Sequence, residues 1–421
     1  MIAKGDADQW ATRAYASLVA LTYFGFPIIS LLPLAMGSAS RPVSIIYRAA
    51  VGGLSLLFPW LASRAGWRLM NPVAGGAIIL LWILLLLRFI WDSNFAPLPL
   101  DLPWGETALE IVGIGLIPSI PFVFVPSTSA VVRARVVSLA FGLAAIAALA
   151  AGALFSLKSF VHSGRFATDV INPISVGSVG VSVVAFALAR PAKVDEGISW
   201  ARVLHLCGAG VGAVTCILSA SKGPLLGLAA VLALYFVYRL VRLSPGRRLL
   251  GIALVGSLLT SGAVAIAIFS DRLSSLPIYG RIANASHDPS TVMRLRAWDG
   301  ALAQFDRSPL FGDNFVELST RFYPHNALLE AMMTTGIAGL VLIVFVFGLG
   351  GLAIFRLGLS FPVAGWLAML FVQRLVASMV SGGLYLNATL WAALLMLLAF
   401  AAGPGAVRKI GSSSSVSSGP T

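Results

Sequence analysis

Charge is what this sequence has least of. Only 11% of its 421 residues are charged, against 58% hydrophobic, whereas a soluble domain carries about 25%. That shortage excludes an ordinary water-soluble fold. Acidic residues are scarcer still, 16 against 29 basic ones. Cysteine is limited to Cys207 and Cys216. Both fall in one predicted helix, nine residues apart, where they cannot reach each other for a disulfide. Two cysteines also make no metal cluster. There are only four histidines. No basic stretch is interleaved with aromatics as a nucleic-acid platform requires, so no nucleic-acid partner is expected. No internal repeat is visible.

What the chain does have is apolar runs of about 20 residues along its whole length, the signature of membrane-spanning helices. Twelve are expected, at 15–37, 42–63, 71–92, 106–127, 134–157, 172–191, 200–221, 224–243, 247–270, 333–356, 362–383 and 385–404. The fold class is therefore all-α, a polytopic integral membrane protein with about 12 transmembrane helices in one domain, 1–404. The Ser/Gly-rich 405–421 reads as a disordered cytoplasmic tail. The opening "MIAKGDADQW" does not look like a cleavable leader.

Loop charge sets the orientation. With the N-terminus inside, the inner segments hold 16 basic residues and the short outer loops five: Arg41, Arg48, Lys158, Arg165 and Lys222. Both termini are then expected to be cytoplasmic, and most of the net charge of +13 is a matter of topology. One outer loop, 271–324 between spans 9 and 10, is too long to be only a connector. Within it, "SHDPSTVMRLRAWDGALAQF" predicts an amphipathic helix capped by Ser290. Its apolar positions are Met293, Ala297, Trp298, Ala301, Leu302 and Phe305.

Past the loop stands "PHNALLEAMMTTGIAGL". Read as a helix, it has Pro324 and His325 in its first turn. His325, Gly336 and Gly339 then fall on one face, and the glycines offer a seam for a neighbouring helix. A helix N-terminus disfavours imidazolium, so His325 would be neutral and able to act as a general base. Lys222, in the outer turn "SASKGPLL", and Arg294, on the loop helix, are expected on the same side of the membrane. Two cations and a base suit a diphosphate leaving group and an attacking hydroxyl. Each residue alone also has a plainer reading: a capping histidine, a boundary lysine, a solvated arginine. Arg374 lies inside span 11, where an unpaired cation is costly. Arg88 and Glu110 are placed to pair.

The stretch resembles the signature of the O-antigen ligase and polymerase family. That signature is His, then Asn, Ser or Gln, nine residues, Gly, two residues, then Gly, Thr or Tyr. His325, Asn326, Gly336 and Gly339 match it completely. "MRLRAWDGALAQFDRSPLFGDNF" looks like the family's loop segment, with Arg294 four residues before Trp298. "SASKGPLLGL" looks like its Ser-Arg-Gly turn, with Lys222 replacing the arginine. "INPISVGSVG" looks like its Asn-Pro helix start. The resemblance covers about 165–345. It implies a GT-C-like glycosyltransferase of the bacterial inner membrane, working at the periplasmic face without metal or cofactor. Its donor would be a glycan on polyprenyl diphosphate. Its acceptor would be lipid A–core for a ligase, toward which the complete signature leans, or another lipid-linked repeat for a polymerase. Lys222, Arg294 and His325 would be catalytic. Arg281, Arg296, Arg321 and Asn326 are further substrate-binding candidates. A twelve-helix transporter or lipid-glycan flippase is the alternative of another class; broken helices at mid-membrane would favour it.

Overall fold

The computed structural model describes residues 4–37, 40–95, 103–156, 164–189, 200–268, 288–360 and 364–403. The expected tail and Arg281 lie outside them. Each apolar run falls on a helix, since only internal pairing satisfies the backbone in lipid. The helices are α1 (Lys4–Ala20), α2 (Ser40–Arg64), α3 (Pro72–Phe95), α4 (Trp104–Glu110), α5 (Thr128–Leu154), α6 (Pro173–Leu188), α7 (Trp200–Leu218), α8 (Lys222–Val241), α9 (Pro245–Ile268), α10 (Pro289–Arg307), α11 (Ala327–Ser360), α12 (Gly365–Ser378) and α13 (Ala388–Ala401). Among the described residues, seven helical stretches are long and apolar enough to cross a membrane. The shorter apolar helices are Pro173–Leu188, Val203–Leu218, Gly365–Ser378 and Ala388–Ala401.

Burial sorts these helices into layers. From Leu390 to Phe400 α13 is buried on every side, and so are α12 from Gly365 to Phe371 and most of α6. A helix apolar all round belongs in the middle of a bundle. By contrast α2, α3 and α8 leave large side chains such as Leu57, Ile79 and Val237 exposed, as helices facing lipid do. Two helices are wound irregularly. A π turn at Leu21–Gly25 continues α1, and α4 runs on through a π turn (Ile111–Leu116) into a 3₁₀ turn (Ile117–Val123) with Pro118 and Pro121 inside. Such insertions often mark functional positions.

The loop helix is α10. Its cap is Asp288, not the expected Ser290: Asp288 Oδ1 accepts the Ser290 N–H at 2.9 Å, with Pro289 opening the helix. The expected apolar stripe is divided. Ala297 and Ala301 are buried together with Gln304, whereas Met293 and Leu302 are exposed. Gln304 explains the shift, because its amide serves the returning chain, accepting from the Leu318 N–H (2.8 Å) and donating to the Val316 carbonyl (3.1 Å).

The segment after α10 docks into a groove between α3 and α11. Arg88 and Asp92, one turn apart on α3, pair with each other at 2.9 Å. Arg88 Nη1 donates to the Gly312 carbonyl, and Asp92 Oδ2 accepts the Phe315 N–H at 2.6 Å. The expected Arg88–Glu110 pair does not form. Glu110 lies instead 3.6 Å from Arg48, because Arg88 has a closer carboxylate on its own helix. The Asp92 side chain is wholly buried, so Asp92→Ala strands the Arg88 charge. It is expected to cost about 3–5 kcal/mol and to expose residues 308–315 to protease; an unchanged digestion pattern would contradict this.

Candidate functional site

His325 is not in a helix. α11 begins at Ala327, and Asn326 caps it, its Oδ1 accepting from the Leu328 and Leu329 N–H groups at 3.1 and 3.2 Å. The expected alignment of His325 with Gly336 along one helical face therefore fails. His325 sits one residue before the cap with φ +58°, in the left-handed region that costs a non-glycine residue about 1–2 kcal/mol. The fold holds it there on both sides. Trp298 Nε1 donates to the Pro324 carbonyl at 2.8 Å, and the Tyr323 ring meets the imidazole edge-on at 4.8 Å.

Gly336 serves the site differently from a helix–helix seam. With φ 66° and ψ −154° it breaks α11, in a region essentially open only to glycine. The loop backbone fills the break: the Ile337 N–H donates to the Pro309 carbonyl, and the Asp313 N–H to the Met333 carbonyl, each at 2.8 Å. A Cβ at Gly336 would lie 2.4 Å from the Leu310 carbonyl carbon and oxygen. The glycine thus admits the loop that carries α10.

α10 gathers the other candidates along one face. Thr291, Arg294 and Trp298 recur at helical spacing. Lys222, at the first position of α8, lies 3.2 Å from Asp288 Oδ2 and donates to Thr291 Oγ1, also at 3.2 Å. Arg294, half-buried one turn further on, acts electrostatically on His325. Burial and the Arg294 charge together lower the His325 pKa to about 4, so the imidazole is neutral at pH 7. Burial of the neighbouring Tyr323 keeps its phenol protonated. Arg296 and Arg321 are exposed. Arg296 is on the far side of α10 from Arg294, and Arg321 lies in the tight turn closed by the Glu317 carboxylate, which accepts from the Ser319 and Thr320 N–H groups.

Among the described residues three non-glycine residues have positive φ: Ala220, Arg321 and His325. Two are predicted site residues and the third is two positions before Lys222. Backbone strain of this kind concentrates at functional sites.

His325 also lines a cleft of about 610 Å³, with Arg374, Arg48, Tyr23, Asn172 and Asn387 among its walls. Both irregular turns contribute to it, through Tyr23 and Ile114. Sequence reasoning placed neither tyrosine nor asparagine here, because they come from helices far apart in the chain. Only the signal of an intramembrane cation pointed to Arg374.

No curated protein and no solved structure matches the chain. Residues 207–344 match the family model described as O-antigen ligase. That range, about a third of the chain, includes Lys222, Arg294, the Gly336 break and His325 with its cap, so the part of the chain that is similar to the O-antigen ligase family is the part that carries the candidate site.

Proposed function

We propose that the protein is a membrane glycosyltransferase that moves a glycan from polyprenyl diphosphate to an acceptor hydroxyl, acting as an O-antigen ligase with lipid A–core as acceptor. The observation that supports it is that Arg294, on the helix that also engages Lys222, acts electrostatically on a half-buried His325 held neutral at pH 7 just before the next helix. The acceptor oxygen attacks the anomeric carbon of the donor glycan. A glycosidic bond forms, the bond from that carbon to the diphosphate breaks, and the hydroxyl proton passes to the His325 imidazole. Lys222 and Arg294 offset the charge on the departing diphosphate, the largest contribution expected in such a reaction. Lys222 meets phosphate as a point charge rather than a bidentate fork, and to do so it exchanges its Asp288 partner for the ligand.

The broken helix does not favour a transporter. In α11 two backbone groups at the break, the Ile337 N–H and the Met333 carbonyl, are taken up by Pro309 and Asp313 of the loop rather than turned toward a solute as in a transporter's broken helices.

The test is purified protein in nanodiscs with a polyprenyl-diphosphate-linked glycan and a lipid A–core acceptor, comparing wild type with His325 and Arg294 variants. Product on core supports the ligase. Extension of a lipid-linked repeat alone assigns the polymerase, and full transfer by correctly inserted variants ends the assignment.

Acidity supplies a second test. The neutral imidazole is the working form, so kcat/KM falls only as pH drops toward the His325 pKa of about 4. Arg294→Gln removes one of the two causes of that lowering. The acid limb should move part of the way up toward 6.5, the ordinary value. A limb that stays in place would separate Arg294 from His325.

A further inference from the structure

The cleft beside His325 has a charge imbalance that the transfer reaction as proposed does not use. Two arginines line it. Arg48 has a carboxylate, Glu110, at 3.6 Å. Arg374 has none among the described residues. Its Nη2 donates to Ser182 Oγ at 3.0 Å, its guanidinium lies 5.3 Å over the Tyr23 ring, and its buried Nε has no hydrogen-bond partner. A guanidinium inside an apolar bundle, matched only by a hydroxyl and a ring face, is costly to keep. It is best repaid by an anion that accepts two parallel N–H bonds.

The rest of the wall suits a sugar. Asn172 and Asn387 each spend Oδ1 on capping a helix, accepting from the Ser175 and Leu390 N–H groups at 2.9 and 3.1 Å. No hydrogen bond among the described residues uses the NH₂ of either, so each keeps two donors for hydroxyl oxygens. Tyr23 adds an aromatic surface, although its hydroxyl is occupied by the Thr389 carbonyl at 2.9 Å. Lys222 and Arg294 do not line this cleft. The residues assigned to the diphosphate and those that line the cleft are thus two separate sets that share only His325 as a neighbour.

We infer that this cleft is the acceptor's site and selects a sugar bearing a carboxylate or phosphate, with Arg374 holding that anionic group and Asn172 and Asn387 its hydroxyls. The assignment of the occupant as acceptor rests on the transferase reading; the anionic-sugar site itself does not.

Binding tests it without any transfer step. Thermal-shift titration and calorimetry on the full chain in nanodiscs would use glucuronate, glucose 6-phosphate, glucose and inorganic phosphate as probes. Glucuronate against glucose 6-phosphate separates a carboxylate from a phosphate source. At least one charged sugar should stabilise the wild type well beyond glucose. Arg374→Gln should weaken it about 10- to 100-fold, the loss of a charged hydrogen-bonding partner. Arg374→Lys, which keeps the charge without the fork, should weaken it less. The inference is overturned if glucose binds as well as the charged sugars, if inorganic phosphate binds as tightly as glucose 6-phosphate, or if both Arg374 variants bind like the wild type. Transfer by the same preparations keeps the two readings apart. Full transfer by His325→Asn with sugar binding lost in Arg374→Gln sinks the transferase assignment and leaves the sugar site. The reverse pattern sinks only the site.

Discussion

His325→Asn is expected to lower glycan transfer about 10²- to 10⁴-fold, the range contributed by a positioned acid–base group. Asparagine is the informative replacement because of the backbone. His325 holds φ +58°, and asparagine is one of the few residues that enters the left-handed region readily. Alanine would remove the imidazole and strain the turn together, so its effect would mix chemistry with folding. With asparagine the Trp298–Pro324 hydrogen bond and the Asn326 cap have no reason to change. Transfer should fall while the thermal midpoint stays near that of the wild type. A variant that folds and transfers within a few-fold of normal would remove His325 from the reaction.

Gly336→Ala is expected to be among the most damaging single methyl additions in the described chain. Its φ of 66° and ψ of −154° lie where a side chain costs about 1–3 kcal/mol in backbone strain alone. The added Cβ would sit 2.4 Å from Leu310 backbone atoms, so the loop must withdraw. Withdrawal gives up the Ile337–Pro309 and Asp313–Met333 hydrogen bonds, each worth about 1 kcal/mol. Transfer should be lost together with protection of residues 308–315 from protease. Gly339→Ala is the control. There the three nearest atoms are the Thr335 hydroxyl, the Thr335 Cβ at 2.9 Å and the Ala331 carbonyl at 3.1 Å, all on the same helix rather than on another element of the fold. Rotation of one threonine relieves most of that contact. Equal damage from the two substitutions would refute the role given to the Gly336 break.

The contrast between those glycines marks how far the chain could be read in advance. Helix positions were legible because lipid imposes one requirement on every run. The predicted 224–243 and 247–270 become Lys222–Val241 and Pro245–Ile268. Local capping was legible too, but was misassigned. Asp288 before Pro289 is a stronger start than Ser290, and Asn326 before "ALLE" a stronger one than Pro324. The Arg88–Asp92 pair, four residues apart on one helix, was also open to view. What could not be read was contact across the chain. Nothing in the spacing shows that Trp298 holds the Pro324 carbonyl, that Pro309 fills the Gly336 break, or that Arg374 lies over Tyr23. Those depend on how helices pack, and packing has no local sequence signature.

The docked loop also bears on which part of the chain can work as a unit. The family match spans 207–344, yet its internal loop is fastened to Arg88 and Asp92, more than a hundred residues upstream. Within the same match, Glu330 is wholly buried and accepts the Leu384 N–H at 2.8 Å, from beyond its downstream end. The stretch that carries the signature thus borrows its rigidity from both flanks. During synthesis the signature segment can reach its final setting only after α3, the loop and the turn before α13 are all in place. Exchanging the signature segment alone between relatives would carry over its residues without the clamps that position them.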